Sequence, residues 1–163
     1  MSRPLDPRIS DLLVVGAVSS FGAGAIHAFV VDEHLHESIA FGVFFILAAA
    51  FQVGWGLELV RRPTRRLLIA GAIVNSIVVL VWIASRTVGL PIGPEAGTPE
   101  AVGLADAVST IFEAAIVAVA LVAATMGTTL GFIRPLLGRT LPAIAAGAVA
   151  GLTYVALSIG QHH

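Results

Sequence analysis

Apolar residues in this chain run in long, nearly unbroken blocks, and polar residues collect in the short gaps between them. Five blocks, at about 11–31, 37–60, 67–86, 101–126 and 141–160, each come close to the ~20 residues that an α-helix needs to cross the hydrocarbon core of a bilayer. The pattern predicts an all-α integral membrane bundle of five transmembrane helices, one domain over residues 1–163. Arg61-Arg62-Pro63-Thr64-Arg65-Arg66 interrupts what is otherwise one apolar run, placing four charges and a helix-stopping proline between helices 2 and 3. Helix 4 has a start signal in Thr98-Pro99-Glu100: a hydroxyl for the N-cap, proline for the first helical position, and an acid facing the positive end of the dipole.

Composition strengthens this picture. Of 163 residues, 57% are hydrophobic and 12% charged, and mean hydropathy is +0.96. A water-soluble domain carries about 25% charged residues, so nucleic-acid binding and cytosolic catalysis are excluded. The bilayer is the first partner. The absence of cysteine removes disulfides, thiolate zinc sites and thiol nucleophiles, leaving nitrogen and oxygen as metal ligands.

Charge placement predicts orientation. All nine basic residues are arginine. Arg3 and Arg8 precede helix 1, Arg61, Arg62, Arg65 and Arg66 join helices 2 and 3, and Arg134 and Arg139 join helices 4 and 5; only Arg86 lies on the other side. The positive-inside rule then puts the N-terminus in the cytoplasm and the C-terminus outside. A secretory signal over residues 1–25 is the rival reading, since Ala23-Gly24-Ala25 looks like a cleavage site. The apolar run continues past it to Val31, which favours a retained span. Gly16, Gly22, Gly24, Gly54, Gly56 and the Gly147-x-x-x-Gly151 pair predict close helix packing, with a dimer face as the alternative.

Threaded this way, all five histidines and seven of the ten acids reach the outer side. The densest group, Asp32-Glu33-His34-Leu35-His36-Glu37, reads as the outer turn between helices 1 and 2 running into helix 2. Its plain explanation is a polar hairpin at headgroup level. Its chemical one is a site of imidazole and carboxylate ligands, which suits copper, zinc or iron. His34 and Glu37, three apart on a helix, have a spacing at which two ligands converge.

Two ionisable residues lie within apolar stretches, where such groups are expensive and normally face the bundle interior. His27 is one, either a hydrogen-bonded core histidine or a ligand. Glu113 is the other, with Arg86 as its plain salt-bridge partner and Asp106 as that arginine's second choice. In the chemical reading, Asp106 and Glu113 join His27, Glu33, His34, His36 and Glu37, while Arg86 and Gln52 support the ligands from behind. Gln52, Asn75 and Ser76 serve equally as interhelical hydrogen-bonding groups. Glu58, three and four residues before Arg61 and Arg62, reads as a surface ion pair. The Gly- and Pro-rich loop from Gly89 to Gly103 demands specific turns, as a stiff lid over the outer face or a compact surface loop. His162 and His163 read as a tag remnant or, if native, as further outer-side imidazoles.

The stretch Ser85-Arg86-Thr87-Val88-Gly89-Leu90-Pro91-Ile92-Gly93-Pro94, with Pro99-Glu100 and Asp106, resembles a family of small uncharacterised bacterial multi-pass membrane proteins. So do His27, the Glu33-His34 pair, and Phe41-Gly42-Val43-Phe44-Phe45 with Gln52, over about residues 25–115. The resemblance implies a bacterial inner-membrane location and no particular chemistry.

These features rank a transition-metal-binding protein first, for uptake, storage or hand-over. A non-catalytic accessory subunit, whose polar rim docks a periplasmic or membrane protein partner, is the alternative. A metal-dependent enzyme would use His27, His34 and Glu37 as ligands and Glu113 as general base. Paired histidines on one helix, a Ser–His arrangement and a phosphate-binding glycine loop are all lacking, which counts against it. Haem ranks lower still, because axial ligation across a bundle needs histidines facing each other from separate helices.

Overall fold

The computed structural model describes residues 7–125 and 140–160, with side chains over 11–125 and 146–158. Arg3, Arg134, Arg139, His162 and His163 lie outside the described residues, as does the side chain of Arg8. The described residues form five helices: α1 (Pro7–Glu37), α2 (Ile39–Arg61), α3 (Arg65–Thr87), α4 (Leu104–Thr125) and α5 (Thr140–Gly160). The described parts of α1 to α4 are long and apolar enough to cross a membrane; α5 has a shorter described apolar stretch, Ala146–Ser158. Large apolar side chains such as Leu47, Ile73, Leu80 and Ile111 are more than half exposed on the bundle surface, which is the surface a lipid-embedded protein presents.

The first turn differs from the expectation. Asp32 to Glu37 do not form a loop: α1 continues through them, and the break is a single extended residue, Ser38, whose hydroxyl caps α2 by accepting from the Ala40 amide. Polar residues do not stop a helix that has left the hydrocarbon, so α1 gains nearly two turns. The reversal at Ser38 is sharp enough that Leu35 lies against Gly42, where a Cβ would fall 2.2 Å from its Cδ2. Further along, Gly24 lies against the Ala49 carbonyl and Gly56 against the Ala17 carbonyl, so α1 and α2 pack almost backbone to backbone. Gly16 and Gly22 also meet neighbouring helices, whereas Gly54, Gly147 and Gly151 face open space.

Helices α1 to α4 form a ring, with α1 packed on α2 and α4, and α3 on α4; α5 lies against α1 and α4. At the arginine end, Pro63 separates α2 from α3, and Thr64 caps α3 by accepting from the Leu67 amide. Here Trp55 lies flat on Gly71 and donates its indole N–H to the Leu67 carbonyl at 2.8 Å. Around it, Leu13, Leu59, Leu68, Ala72, Ile116, Ala120 and Ala123 close a dry core drawn from all four helices. Towards the other end α2 and α3 diverge, and the 88–103 loop spans the opening.

Helix α4 begins at Leu104, later than the capping signature suggests. Thr98-Pro99-Glu100 belongs to the loop because Glu100 is used elsewhere: its amide donates to the Ser85 carbonyl at 3.0 Å, and its carboxylate takes Arg86. Gly89 and Gly93 have φ of +74° and +97°, where other residues are strained; a Cβ on Gly93 would lie 2.6 Å from the Phe41 ring. The loop thus rests directly on α2.

Candidate functional site

Polar groups from all four ring helices meet in the bundle interior. His27 on α1 and Glu113 on α4 are 3% and 1% exposed, with His27 Nε2 2.9 Å from Glu113 Oε1. Nε2 thus meets the carboxylate in a close polar contact, while Nδ1 has no hydrogen-bond partner. Gln52 on α2 supplies the aligned bonds. Its amide donates to Glu113 Oε1 and to Asn75 Oδ1, both at 3.1 Å, while Asn75 donates to the Gly71 carbonyl at 2.9 Å. Ser20 on α1 donates to the Gln52 carbonyl at 2.6 Å. In a medium without water such polar groups must satisfy one another, and here they tie the helices together at mid-height.

His27 and Glu113 line the inner end of a cavity of about 290 Å³. Phe41, Phe44 and Phe45 form its α2 wall, Val78, Val81 and Trp82 its α3 wall, and Ser109 and Thr110 part of its α4 wall; Leu90, Pro91 and Ile92 reach in from the loop. Phe45 links the two imidazoles on α1, stacking on His34 at 4.2 Å between centroids and lying tilted against His27 at 5.3 Å. A second, more polar cavity of about 240 Å³ shares His34, Phe41, Leu90, Ile92 and Glu100 with the first and adds Glu37, Pro94 and Glu95. Together they run from the loop surface to the buried pair. Beyond the pair, towards the arginine end, lies the buried apolar core around Trp55 and Ile116.

Arg86 lines the cavity from α3 without touching Glu113. Its guanidinium donates to Glu100 and Asp106 and, at 2.9 Å, to Ser85 Oγ. Glu113 therefore has His27 and Gln52 as partners in place of the arginine that the sequence offers it. Asp106 serves the arginine and the Gly103 amide. Gln52 touches the buried carboxylate directly.

At the end of α1 the polar run fans around the helix. His34 pairs with Glu37 at 2.8 Å beside the cavity mouth; His36 contacts the Asp32 carbonyl at 2.7 Å on the exposed surface, and Glu33 is exposed. Glu58 lies 3.6 Å from Arg61. Among the described residues no three His, Asp or Glu side chains converge as a metal-binding group. The pairing explains it: His27 with Glu113, His34 with Glu37 and Asp106 with Arg86 are separate, and His27 and His34 stand two helical turns apart, roughly 10 Å in rise. The donor set falls short of the four ligands that a resident zinc commonly takes. No described histidine faces His27 from another helix, as haem would need.

Sequence reasoning passed over the aromatic walls, Ser20 and Trp82. Phe41, Phe44 and Phe45 stand within a quoted motif, but an apolar ring in an apolar span gives no sign of whether it faces lipid, core or cavity. No protein family, curated protein or solved structure matches the chain.

Proposed function

We propose that this chain is a five-span bacterial inner-membrane protein that binds a small ligand in the cavity between α2 and α3, anchored at its inner end by His27 and Glu113. One observation carries the reading: a histidine buried to 3% exposure, with Nδ1 unpaired and Nε2 2.9 Å from the Glu113 carboxylate, lines a cavity otherwise walled by aromatic and aliphatic side chains. Protein interiors rarely leave such groups unpaired, and an apolar cavity with a few convergent polar groups is the usual form of a small-molecule site. The arginine distribution favours the N-terminus inside, the C-terminus outside, and a cavity opening outward. The dry core below favours capture over conduction.

A transition-metal ion, copper, zinc or iron, is the second reading, favoured by an imidazole and a carboxylate side by side, His27 Nε2 lying 2.9 Å from Glu113. With only Glu113 beside it, the ion would be cargo completing its ligand shell with water or a carrier. The test uses protein purified without a histidine tag in native-lipid particles, analysed for metals and by mass spectrometry of an organic extract, beside Thr110→Phe, which fills the cavity. A molecule or metal retained by the parent and lost from a folded Thr110→Phe variant supports binding in the cavity. Identical contents in both would overturn it.

A further inference from the structure

Building on the ligand-binding reading, we infer that the ligand is a neutral, ring-bearing molecule with carbonyl acceptors, of the isoprenoid-quinone class, which enters from the lipid phase between α2 and α3. Four observations converge on this. The first is size: about 290 Å³ lies at the small end of the roughly 300–1,000 Å³ range of small-molecule sites, enough for one substituted ring and not for a two-chain lipid.

The second is access. Helix α5 packs on α1 and α4, so no described helix covers the seam between α2 and α3, and the cavity has its aromatic α2 wall on one side of that seam and Val78, Val81 and Trp82 on the other. An apolar tail continuing from a bound ring would leave along this seam into lipid. The third is hydrogen bonding. Besides His27, Trp82 and Arg86 line the same cavity, and the indole N–H of Trp82 and the Nε–H of Arg86 are buried beside it without a partner in the protein. Indole and guanidinium groups can only donate, so the missing counterpart is an acceptor oxygen.

The fourth is charge. Arg86 is already claimed by Glu100 and Asp106, and Glu113 adds a third carboxyl group to the lining, so an anionic headgroup meets a surplus of acids. A neutral carbonyl satisfies the donors without that penalty. Ester carbonyls of a neutral diacyl lipid share this chemistry, but a flat ring also matches walls on which an imidazole already stacks at 4.2 Å.

The test is tryptophan quenching by a short-tailed ubiquinone or menaquinone analogue, with the full-length protein in nanodiscs of defined, quinone-free lipid. The chain has two tryptophans, Trp82 in the cavity wall and Trp55 in the core at the opposite end. Saturable quenching in Trp55→Phe, absent in Trp82→Phe and weakened about tenfold in affinity by His27→Leu, is the expected result, the loss of one buried hydrogen bond amounting to about that factor. Thr110→Phe should also abolish it, which guards against misfolding of any one variant. Equal, non-saturating quenching in both tryptophan variants would overturn the inference, as would displacement of the quinone by diacylglycerol at comparable concentration. If quinone fails while a Thr110→Phe-sensitive molecule still copurifies, the binding function stands and only the ligand class falls.

Discussion

Gln52→Met tests whether the polar network holds the helices together. Methionine keeps the length and much of the volume of glutamine, so little cavity forms, but it deletes the two 3.1 Å donations to Asn75 and Glu113. In water-soluble cores each lost bond with a stranded partner would cost about 1–3 kcal/mol. Membrane proteins show less, averaging ~0.6 and reaching ~1.7 kcal/mol per bond, because the unfolded helices find other partners in the bilayer. Two bonds therefore give roughly 1–3 kcal/mol, with the upper half favoured by the burial of all three residues to 1% exposure or less. The assay is reversible unfolding in mixed micelles by titration with a denaturing detergent, followed by tryptophan emission. A double-mutant cycle with Asn75→Leu isolates one bond. Full additivity of the two substitutions would show that the amide does not bridge α2 to α3, and destabilisation of Gln52→Met below about 0.3 kcal/mol that it ties α2 to neither α3 nor α4.

Arg86→Leu strands Glu100 and Asp106, whose side chains are 40% and 28% exposed. That exposure should hold the cost to about 1–2 kcal/mol, below the ~3–5 of a fully buried pair. Limited proteolysis should then cut faster within residues 88–103, and unchanged cleavage would argue against the arginine as the loop's tether. Gly93→Val forces a branched side chain into a backbone at φ +97° and against the Phe41 ring. It should raise the ligand's dissociation rate severalfold in stopped-flow quenching with little change in unfolding. Gly71→Leu places new atoms within the Trp55 indole, which already lies 2.3 Å from an ideal Cβ. Overpacking there should cost about 1–3 kcal/mol in the same micelle titration, and a neutral result would contradict a tightly closed arginine end. Zinc or copper titration of protein without a histidine tag should show no stoichiometric site that depends on His36 or Glu33, both exposed.

The four helices long and apolar enough to cross a membrane were legible because hydrocarbon thickness sets a length that apolar runs must meet, and the four charges with Pro63 break the run between α2 and α3. His27 and Glu113 stood out for the same reason, as costly groups in apolar surroundings. Their contact, and the choice of Arg86 among Glu100, Asp106 and Glu113, depend on how α3 and α4 are rotated and on where the loop returns, which no local pattern encodes. The start of α4 illustrates the point: a sound capping signature at Thr98 loses to the tertiary demand for Glu100 beside Ser85 and Arg86. At the end of α1 the opposite holds: the polar run 32–37 reads as a turn, yet a helix beyond an apolar span has no need of apolar residues and continues to Glu37.

The floor made by Trp55, Leu59, Leu68 and Ile116 gives the bundle the plan of a cul-de-sac. A ligand bound as proposed would leave on the loop side or along the α2–α3 seam, since the buried side chains of this floor bar the third direction.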